Sequence, residues 1–319
     1  MAPQRILVIK HGALGDIVLA TGPFRAIREM HARDRLTLLT ASAFVDFLGP
    51  SGWFDEIEVD DRPAAWRLGA WLALVRGLRA RRYHRVYDLQ TSGRTNLLYR
   101  ALSWRREIEW SGIAPGCSHP HRNPRRGAMH TVERQAEQLA AAGIARTPAA
   151  DLGWVRADVA RFGVPTPYAL LVPGGARHRP AKRWPTAKYA ELARALAGDG
   201  AAPVLIGTAA EAAALRDIGA RAPQTRNLCG RTSLADIAAL ARGAAVTVGN
   251  DTGPVHIAAA AGCPSVVLYS SESDPDLAAP RGAHVETLRA PALAELAVDT
   301  VAAAARRARA ADAGAQTRA

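Results

Sequence analysis

The segment that decides the fold is residues 5–20, which read R-I-L-V-I-K-H-G-A-L-G-D-I-V-L-A. A run of branched apolar residues meets two glycines, and the carboxylate of Asp16 follows directly. A buried strand that ends in such a loop and turns into a helix is typical of open α/β sheets, which bind ligands at the carboxyl ends of their strands. The loop lacks the G-x-G-x-x-G spacing of a dinucleotide fingerprint. Asp16 could therefore act as a cap or first-turn acid of the helix, or it could perform chemistry.

Outward from this segment, strand-like and helix-like patterns alternate over most of the chain. Apolar runs predict strands at residues 6–10, 35–40, 85–89, 168–172, 203–207, 245–248 and 264–269. Amphipathic stretches predict helices at residues 19–30, 64–80, 95–103, 185–197, 209–220, 234–241 and 254–261. This alternation favours an α/β fold, in which parallel sheets are covered by helices on both faces.

Length and chain breakers predict the domain organisation. A chain of 319 residues fits two domains better than one. Proline and glycine residues between 147 and 166 mark a linker, so we expect domains at 1–150 and 151–290. A helix at 291–309 and a disordered tail at 310–319 complete the predicted chain.

The composition indicates a reducing compartment and an anionic partner. The three cysteines form no C-x-x-C pair, the N-terminus is no signal peptide, and no stretch approaches the ~20 apolar residues of a membrane span, so we expect a cytoplasmic protein. The formal net charge of +12 suits nucleic acid, an anionic small molecule or an anionic membrane surface. Aromatic residues are only 6% and do not alternate with basic ones, which argues against a single-strand stacking platform.

Two loops in the second half have features of phosphate sites. Residues 170–185 read L-L-V-P-G-G-A-R-H-R-P-A-K-R-W-P, where Lys182 precedes a predicted helix and can reach a phosphate as a point charge. Residues 246–262 read V-T-V-G-N-D-T-G-P-V-H-I-A-A-A-A-G, where a helix that can bind an anion at its amino terminus follows a polar turn. Taken singly, a solvated lysine and a capped helix explain them equally well. Together with residues 5–20, these motifs predict two α/β domains with a ligand cleft between them.

Two basic segments lie in the first half. Residues 61–85 hold Trp66 and Trp71 among many arginines, which fits either an ordinary surface helix with a solvated basic face or a helix that contacts a membrane or an acceptor. Residues 117–129 read C-S-H-P-H-R-N-P-R-R-G-A-M and predict a basic loop. The histidines in and after this loop do not have metal-ligand spacing on one element, so we expect no metal site there.

The motifs together resemble glycosyltransferase family 9, the lipopolysaccharide heptosyltransferases and their relatives. The resemblance rests on K-H-G-A-L-G-D-I-V-L-A-T-G-P from residue 10, Y-D-L-Q from 87, H-T-V-E-R-Q from 130, V-P-G-G with K-R-W-P from 172, G-T-A-A-E from 207 and N-D-T-G-P-V-H-I-A-A-A from 250. They occur in the family's order over nearly the whole chain. The resemblance implies a GT-B fold, with two Rossmann-like α/β/α domains facing across a cleft and a C-terminal helix that crosses back to the first domain.

The resemblance also implies roles for single residues in an inverting sugar transfer. Asp16 matches the general base, since such a transfer needs one carboxylate to take the proton of the attacking acceptor hydroxyl. The implied donor site comprises Gly174, Gly175, Lys182, Glu211, Thr232, Leu234, Asp251, Thr252, Gly253 and His256. The implied acceptor site comprises Gly15, Arg62, Arg67, His121, Arg122, Arg125 and Arg126. No cofactor and no metal are expected, because cations and backbone dipoles can neutralise a nucleotide diphosphate leaving group.

The implied partners are a nucleotide-sugar donor, ADP-heptose in the best-known members, and an anionic glycolipid acceptor of the lipopolysaccharide core. Such an acceptor implies peripheral contact with the cytoplasmic face of the inner membrane. Two other functions fit the same residues. A GT-B sugar-nucleotide epimerase would release a changed nucleotide sugar, and a non-catalytic nucleotide-sugar or polyanion-binding protein would bind without turnover. A nucleic-acid partner is not expected, because no recognition-helix motif is present.

Overall fold

The protein is described here from a computed structural model that covers residues 3–63, 67–175 and 179–316. The chain divides into two compact units, Met1–Ala150 and Asp151–Ala319. Each unit is built on one sheet of six strands, and neighbouring strands run parallel. Among the described residues, no helix is both long and apolar enough to cross a membrane.

The first unit alternates strands with helices along the chain. Its strands are β1 Arg5–Ile9, β2 Arg35–Thr40, β3 Glu56–Val59, β4 Arg85–Asp88, β5 Glu109–Gly112 and β6 His119–Pro120. Its helices are α1 Leu14–Leu19, α2 Thr21–Met30, α3 Val45–Leu48, α4 Leu68–Ala80, α5 Gly93–Ser103 and α6 Thr131–Ala140. The strand order across the sheet is β3-β2-β1-β4-β5-β6, the order of a Rossmann fold.

The second unit repeats this organisation. Its strands are β7 Tyr168–Val172, β8 Ala202–Leu205, β9 Arg226–Asn227, β10 Val246–Asn250, β11 Ser265–Tyr269 and β12 Val285–Arg289. Its helices are α7 Thr186–Gly198, α8 Ala212–Arg221, α9 Leu234–Gly243, α10 Gly253–Ala260, α11 Pro275–Ala278 and α12 Val298–Gln316. The order β12-β11-β10-β7-β8-β9 is that of the first sheet read from its other edge.

The central strands form where the sequence is continuously apolar. Strands β1 and β7 read R-I-L-V-I and Y-A-L-L-V and are buried along nearly their whole length, as expected for parallel strands covered on both faces. Each pairs on both sides, so that Ile6 lies opposite Leu36 of β2 and Arg85 of β4. The strand order reverses between β1 and β4 in the first sheet and between β7 and β10 in the second. Sheets of this kind bind ligands at these switch points.

Helix α12 packs on the second unit. Val301, Ala304, Ala305 and Ala308 recur at helical spacing and are buried in the core that α7, α8 and β11 also build. The sequence predicted a helix at 291–309 and a disordered tail at 310–319, and the family resemblance implied that this helix crosses back to the first domain. The helix begins at Val298 and continues to Gln316, so the predicted tail is wrong for residues 310–316, because the segment is rich in alanine, the strongest helix former.

Other boundaries also differ from the sequence-based predictions. The helix predicted at 19–30 is α2, which begins at Thr21, and the short helix α1 precedes it at Leu14–Leu19. The two helices are separate because Pro23 has no N–H to continue the hydrogen-bond ladder across the junction. The helix predicted at 64–80 begins at Leu68, and residues 64–66, with Trp66, lie outside the described residues. The strands β3, β5, β6, β9 and β12 were not predicted, because they are short and contain polar or charged residues.

Candidate functional site

Most of the motifs singled out in the sequence lie at the two switch points. In the first unit, Lys10 and the loop to Asp16 follow β1, while Asp88 and Gln90 stand at the end of β4. In the second unit, the Gly174–Gly175 turn follows β7, and the N-D-T-G turn follows β10.

The loop after β1 is held by an amide from β4. The side-chain Oε1 of Gln90 accepts hydrogen bonds from the backbone N–H groups of His11 and Gly12, at 2.9 and 3.3 Å. Gly12 has a φ of 76°, and a Cβ at this position would lie 2.7 Å from Ile17, so the tight loop requires glycine. Helix α1 therefore begins at a fixed place beside β4.

Asp16 stands in the first turn of α1, where it can act as a cap. Its Oδ2 accepts from the backbone N–H of Ala13 at 3.2 Å, as a first-turn acid does at a helix start. Its Oδ1 lies 3.9 Å from Nζ of Lys10, and the side chain is still 37% exposed. The carboxylate is therefore oriented by its helix and its lysine while remaining open to a ligand, the geometry that a general base needs.

Beside Asp16, two ionisable groups are fully enclosed. Lys10 donates from Nζ to the carbonyl of Leu89 at 3.3 Å, and burial lowers the pKa of its ammonium, although the Asp16 carboxylate opposes the shift. Burial raises the pKa of Asp88 to about 6, despite hydrogen bonds to its Oδ1 from the backbone N–H groups of Thr91 and Gln90. Both groups sit at the end of the sheet where Asp16 is exposed.

A second carboxylate ties the same loop to the rest of the unit. Asp60 lies 3.1 Å from Nε2 of His11 and accepts bidentate hydrogen bonds from Arg94 at 2.8 to 3.1 Å. Burial opposes the ionisation of Asp60, but the hydrogen bonds from His11 and Arg94 outweigh it and lower its pKa to about 2. The Arg94 guanidinium also stacks on Trp71 of α4, 4.8 Å from the ring centre.

The predicted acceptor residues fall into two groups. Gly15 is half-buried in α1, while Arg62, Arg67, Arg122 and Arg125 are exposed. His121 and Arg126 are engaged inside the unit instead: the guanidinium contacts Nδ1 of His121 and reaches Thr91 at 2.9 Å. Burial, with the nearby Arg134 charge, lowers the pKa of Arg126 to about 10.

At the second switch point, Asn250 connects three segments of the chain. Its Nδ2 donates to the carbonyls of Pro173 and Gly174, at 2.9 and 3.0 Å. Its Oδ1 accepts from the backbone N–H of Trp184 at 3.1 Å and lies 3.0 Å from the Tyr189 hydroxyl. This fully buried amide therefore fixes the P-G-G loop and the K-R-W-P turn relative to β10.

The next residue, Asp251, holds Lys182 in place. Nζ of Lys182 lies 3.0 Å from Asp251 Oδ2, which also accepts from the hydroxyl of Ser273 at 2.8 Å. Nε2 of His256 lies 4.0 Å from the other carboxylate oxygen. Both partners of the lysine pair are largely buried, so the ammonium is held in place rather than free in solvent.

Helix α10 adds backbone dipoles beside this pair. It begins at Gly253 and runs for 8 residues with Pro254 in its first turn. Thr252 is the N-cap, but its hydroxyl makes no capping hydrogen bond. The partial positive charge of the helix terminus, the hydroxyl of Thr252 and the ammonium of Lys182 thus border the same turn. This set of groups is suited to phosphate oxygens.

The remaining predicted donor residues border the same edge. Oε2 of Glu211 accepts from the backbone N–H and hydroxyl of Thr208, at 2.6 and 2.7 Å. A Cβ on Gly174 would stand only 2.5 Å from Oε1 of Glu211, so Gly174 lies directly against this acid. The carbonyl of Gly175 accepts from Arg183 at 2.9 Å. Thr232 and Leu234 are half-buried and flank the Ser233 N-cap of α9.

Sequence reasoning gave no role to four residues that organise these edges: Lys10, Asp88, Gln90 and Asn250. Each is a polar residue at the end of an apolar strand or just beyond it, and that position is the signal that could have identified them. Within the described residues, no group of three or more His, Cys, Asp and Glu side chains is arranged to hold a metal ion.

Two Rossmann-like sheets, one with an exposed carboxylate and one with a phosphate-type set of groups at its switch point, define a GT-B glycosyltransferase. The family model of glycosyltransferase family 9 (heptosyltransferase) matches residues 71–299. The chain belongs to this family and is a glycosyltransferase.

Individual relatives agree with this assignment. Lipopolysaccharide heptosyltransferase 2 of Escherichia coli is 28% identical over 334 residues, which cover 90% of this chain and 88% of that protein. The solved E. coli ADP-heptose lps heptosyltransferase II has a TM-score of 0.78 at 24% identity, covering 97% and 99% of the two chains. An E. coli heptosyltransferase solved with ADP-2-deoxy-2-fluoro heptose has a TM-score of 0.73 at 20% identity, covering 93% and 98%.

Proposed function

We propose that this protein transfers heptose from ADP-heptose, with inversion, to an anionic glycolipid acceptor of the lipopolysaccharide core. The observation that carries the proposal is the Lys182–Asp251 pair beside the start of α10, at the switch point of the second sheet. The names of the relatives support heptose and ADP as the parts of the donor.

In the proposed reaction, Asp16 takes the proton from an acceptor hydroxyl as its oxygen attacks the anomeric carbon of the donor sugar. The bond from that carbon to the diphosphate oxygen breaks, and ADP leaves with the electron pair. Lys182, the Thr252 hydroxyl and the α10 terminus stabilise the charge that develops on the diphosphate. These groups supply the positive charge that the leaving group requires, so the proposal includes no metal and no cofactor.

The other proposed donor contacts follow from their places at the sheet edge. Glu211 holds the ribose hydroxyls, with Gly174 and Gly175 leaving room for the nucleotide, and Thr232 and Leu234 border the adenine. His256, which lies near Asp251, completes the diphosphate turn with Gly253. The oriented, exposed carboxylate at the first switch point argues against a silent binding protein, and the product of the reaction distinguishes the transferase from the epimerase.

The acceptor and the site of action are part of the same proposal. Gly15 and the exposed Arg62, Arg67, Arg122 and Arg125 are proposed to contact the anionic acceptor, while His121 and Arg126 support them from within the unit. A lipid-linked acceptor of this kind would be met at the cytoplasmic face of the inner membrane.

Calorimetry with ADP-heptose, ADP, UDP and GDP tests the donor proposal. We expect selective binding of the adenine ligands, reduced roughly 10- to 100-fold by Lys182→Ala, since a hydrogen bond to a charged group contributes about 1.5–3 kcal/mol. Lys188→Ala, which removes another lysine of the second unit outside this edge, is the matched control. A preference for UDP or GDP would overturn the choice of ADP-heptose, and released epimerised nucleotide sugar would favour the epimerase.

A further inference from the structure

The helix pair α4–α5 carries most of the strongly exposed large apolar side chains of the described residues. Leu68 and Leu72 on α4 are 66% and 54% exposed, and Leu97 on α5 and Trp104 at its end are 56% and 66% exposed. Of this set, only Met30 and Val59 lie elsewhere. An apolar cluster of this size on a soluble unit marks a surface that meets something other than water.

These side chains share one face, because the two helices run side by side in the same direction. At their starts, Arg94 of α5 stacks on Trp71 of α4. At their ends, the guanidinium of Arg79 on α4 donates to the carbonyls of Ala101 and Trp104. Leu72 and Leu97 lie close to the line of contact between the two helices. Leu72 is seven residues, about two turns, before Arg79, and Leu97 is three residues after Arg94 and four before Ala101.

Basic side chains alternate with the apolar ones along both helices. Leu68, Leu72 and Arg76 recur every four residues on α4, and Leu97, Arg100 and Trp104 recur at three and four residues on α5. Both arginines are exposed. We call these six residues the α4–α5 face.

The charge of the surrounding segment is strongly one-sided. From Arg62 to Arg106 the sequence contains eleven arginines and a single carboxylate, that of Asp88. Asp88 is fully buried, and three of the arginines, Arg81, Arg85 and Arg94, form ion pairs with carboxylates outside this segment, so the excess positive charge rests on the other eight. The face therefore combines apolar side chains, a tryptophan and a positive field, as helices that lie in a membrane interface do.

We propose that the α4–α5 face docks the protein on an anionic lipid bilayer, with Leu68, Leu72, Leu97 and Trp104 entering the interface and Arg76 and Arg100 contacting lipid phosphates. A second copy of the chain fits less well, because a two-fold contact through this face would bring the arginines of both copies together. Nucleic acid would satisfy the arginines but leave the leucines in water. The proposal rests on the proposed function only in that a lipid-linked acceptor gives docking a purpose.

Sedimentation with lipid vesicles tests this surface. The full chain should bind vesicles of phosphatidylcholine with phosphatidylglycerol, bind phosphatidylcholine alone much less, and lose binding as salt is added. Each of Arg76→Gln and Arg100→Gln should weaken the partition roughly fivefold, as loss of one basic residue near an anionic surface does. The double variant Leu68→Gln/Leu72→Gln should weaken it at least tenfold. Met30→Gln, an exposed apolar residue of the same unit away from the face, should change nothing.

Activity separates this proposal from the function itself. Donor affinity and turnover on a soluble, deacylated acceptor should be unchanged in these variants, while turnover on acceptor embedded in anionic vesicles should fall with the partition. Absence of vesicle binding by the full chain would overturn the proposal, as would partition that the leucine variants leave intact. A dimer that the same variants dissociate would assign the face to a second copy of the chain. Binding of a DNA oligonucleotide in preference to the vesicles would assign it to nucleic acid.

Discussion

The two switch points have the same strand order but are built from different groups. At the first, the buried side chains around the loop are ionisable: Lys10, Asp88, and the pair of His11 with Asp60. At the second, the buried centre is the neutral amide of Asn250, and the ion pair of Lys182 with Asp251 stands at its border.

This difference matches what each edge is proposed to do. A group that takes a proton needs neighbours whose charges hold it in place, and Asp16 has Lys10 at 3.9 Å. A phosphate site needs rigid donors that do not change their protonation, and a fully hydrogen-bonded amide supplies rigidity without charge. The comparison therefore predicts that substitutions at the first edge act on turnover and pH dependence, and those at the second act on donor binding and stability.

The largest effect is expected at Asp16. Asp16→Asn keeps an oxygen that can accept from the Ala13 N–H, and so preserves the helix cap, but it cannot take a proton. We expect kcat to fall roughly 10²- to 10⁴-fold, the usual contribution of a general base, with donor affinity unchanged. Asp16→Ala removes the cap as well and should also lower the melting temperature. Near-normal turnover of the asparagine variant would reduce Asp16 to a cap and remove the contrast between the two edges.

The second largest effect is expected at Asn250, whose side-chain amide can be compared with that of Gln90. Asn250→Ala leaves two carbonyls and the Trp184 N–H unpaired inside the second unit, while the Tyr189 hydroxyl can still donate to the carbonyl of Val172. The variant should lower the free energy of unfolding by about 3 kcal/mol. Gln90→Ala frees two N–H groups of a partly open loop and should cost about 1 kcal/mol. Urea unfolding of both variants measures this, with donor affinity as a second readout. Equal losses, or donor binding weakened only by Gln90→Ala, would contradict the division of roles.

A pH dependence of stability is expected at the first edge from Asp88. Its native pKa of about 6 lies above the usual 3.8, so the folded protein binds this proton more tightly than the unfolded chain. The Asp88 contribution to stability is therefore fully present below about pH 4 and is lost as the pH rises to about 6. Asp88→Asn cannot ionise and can keep both backbone hydrogen bonds to Oδ1, so its stability relative to the natural protein should rise over this range by up to roughly 3 kcal/mol.

Urea unfolding on either side of this range checks the effect. Asp60→Asn is the contrasting variant, because the native pKa of Asp60 is about 2 and its contribution is present at neutral pH and lost only as the pH falls toward that value. A constant stability difference for Asp88→Asn between pH 4 and pH 7 would show that this carboxyl ionises freely in the folded protein.

Much of the fold and part of the site could be predicted from the sequence. The central strands β1 and β7 were predictable because they are almost continuous apolar runs, and the loops after the central strands were predictable from glycine and polar turns. The edge strand β6, with two residues, carries no such pattern. The carbonyl that accepts from Lys10 was also out of reach, since Lys10 and Leu89 are 79 residues apart and meet only through sheet pairing.

The arginines of the 117–129 loop show the same limit of prediction from sequence. Their substitution is also the change for which we expect the smallest effect on kinetics. The sequence groups Arg122, Arg125 and Arg126 together, but only Arg122 and Arg125 are exposed, while Arg126 is bonded to His121 and Thr91. Arg122→Gln and Arg125→Gln should each raise the acceptor KM two- to fivefold, roughly the value of one exposed charge contact, and leave kcat and donor affinity unchanged.

Steady-state kinetics with varied acceptor measures this, and the effect should shrink with added salt because exposed charges are screened. Arg33→Gln, which removes another exposed arginine of the first unit, is the matched control. Arg126→Gln should differ from both by also lowering the melting temperature, since its partners lie inside the fold. Unchanged acceptor kinetics in the double variant Arg122→Gln/Arg125→Gln would remove this loop from the acceptor site and leave acceptor recognition to Gly15, Arg62 and Arg67.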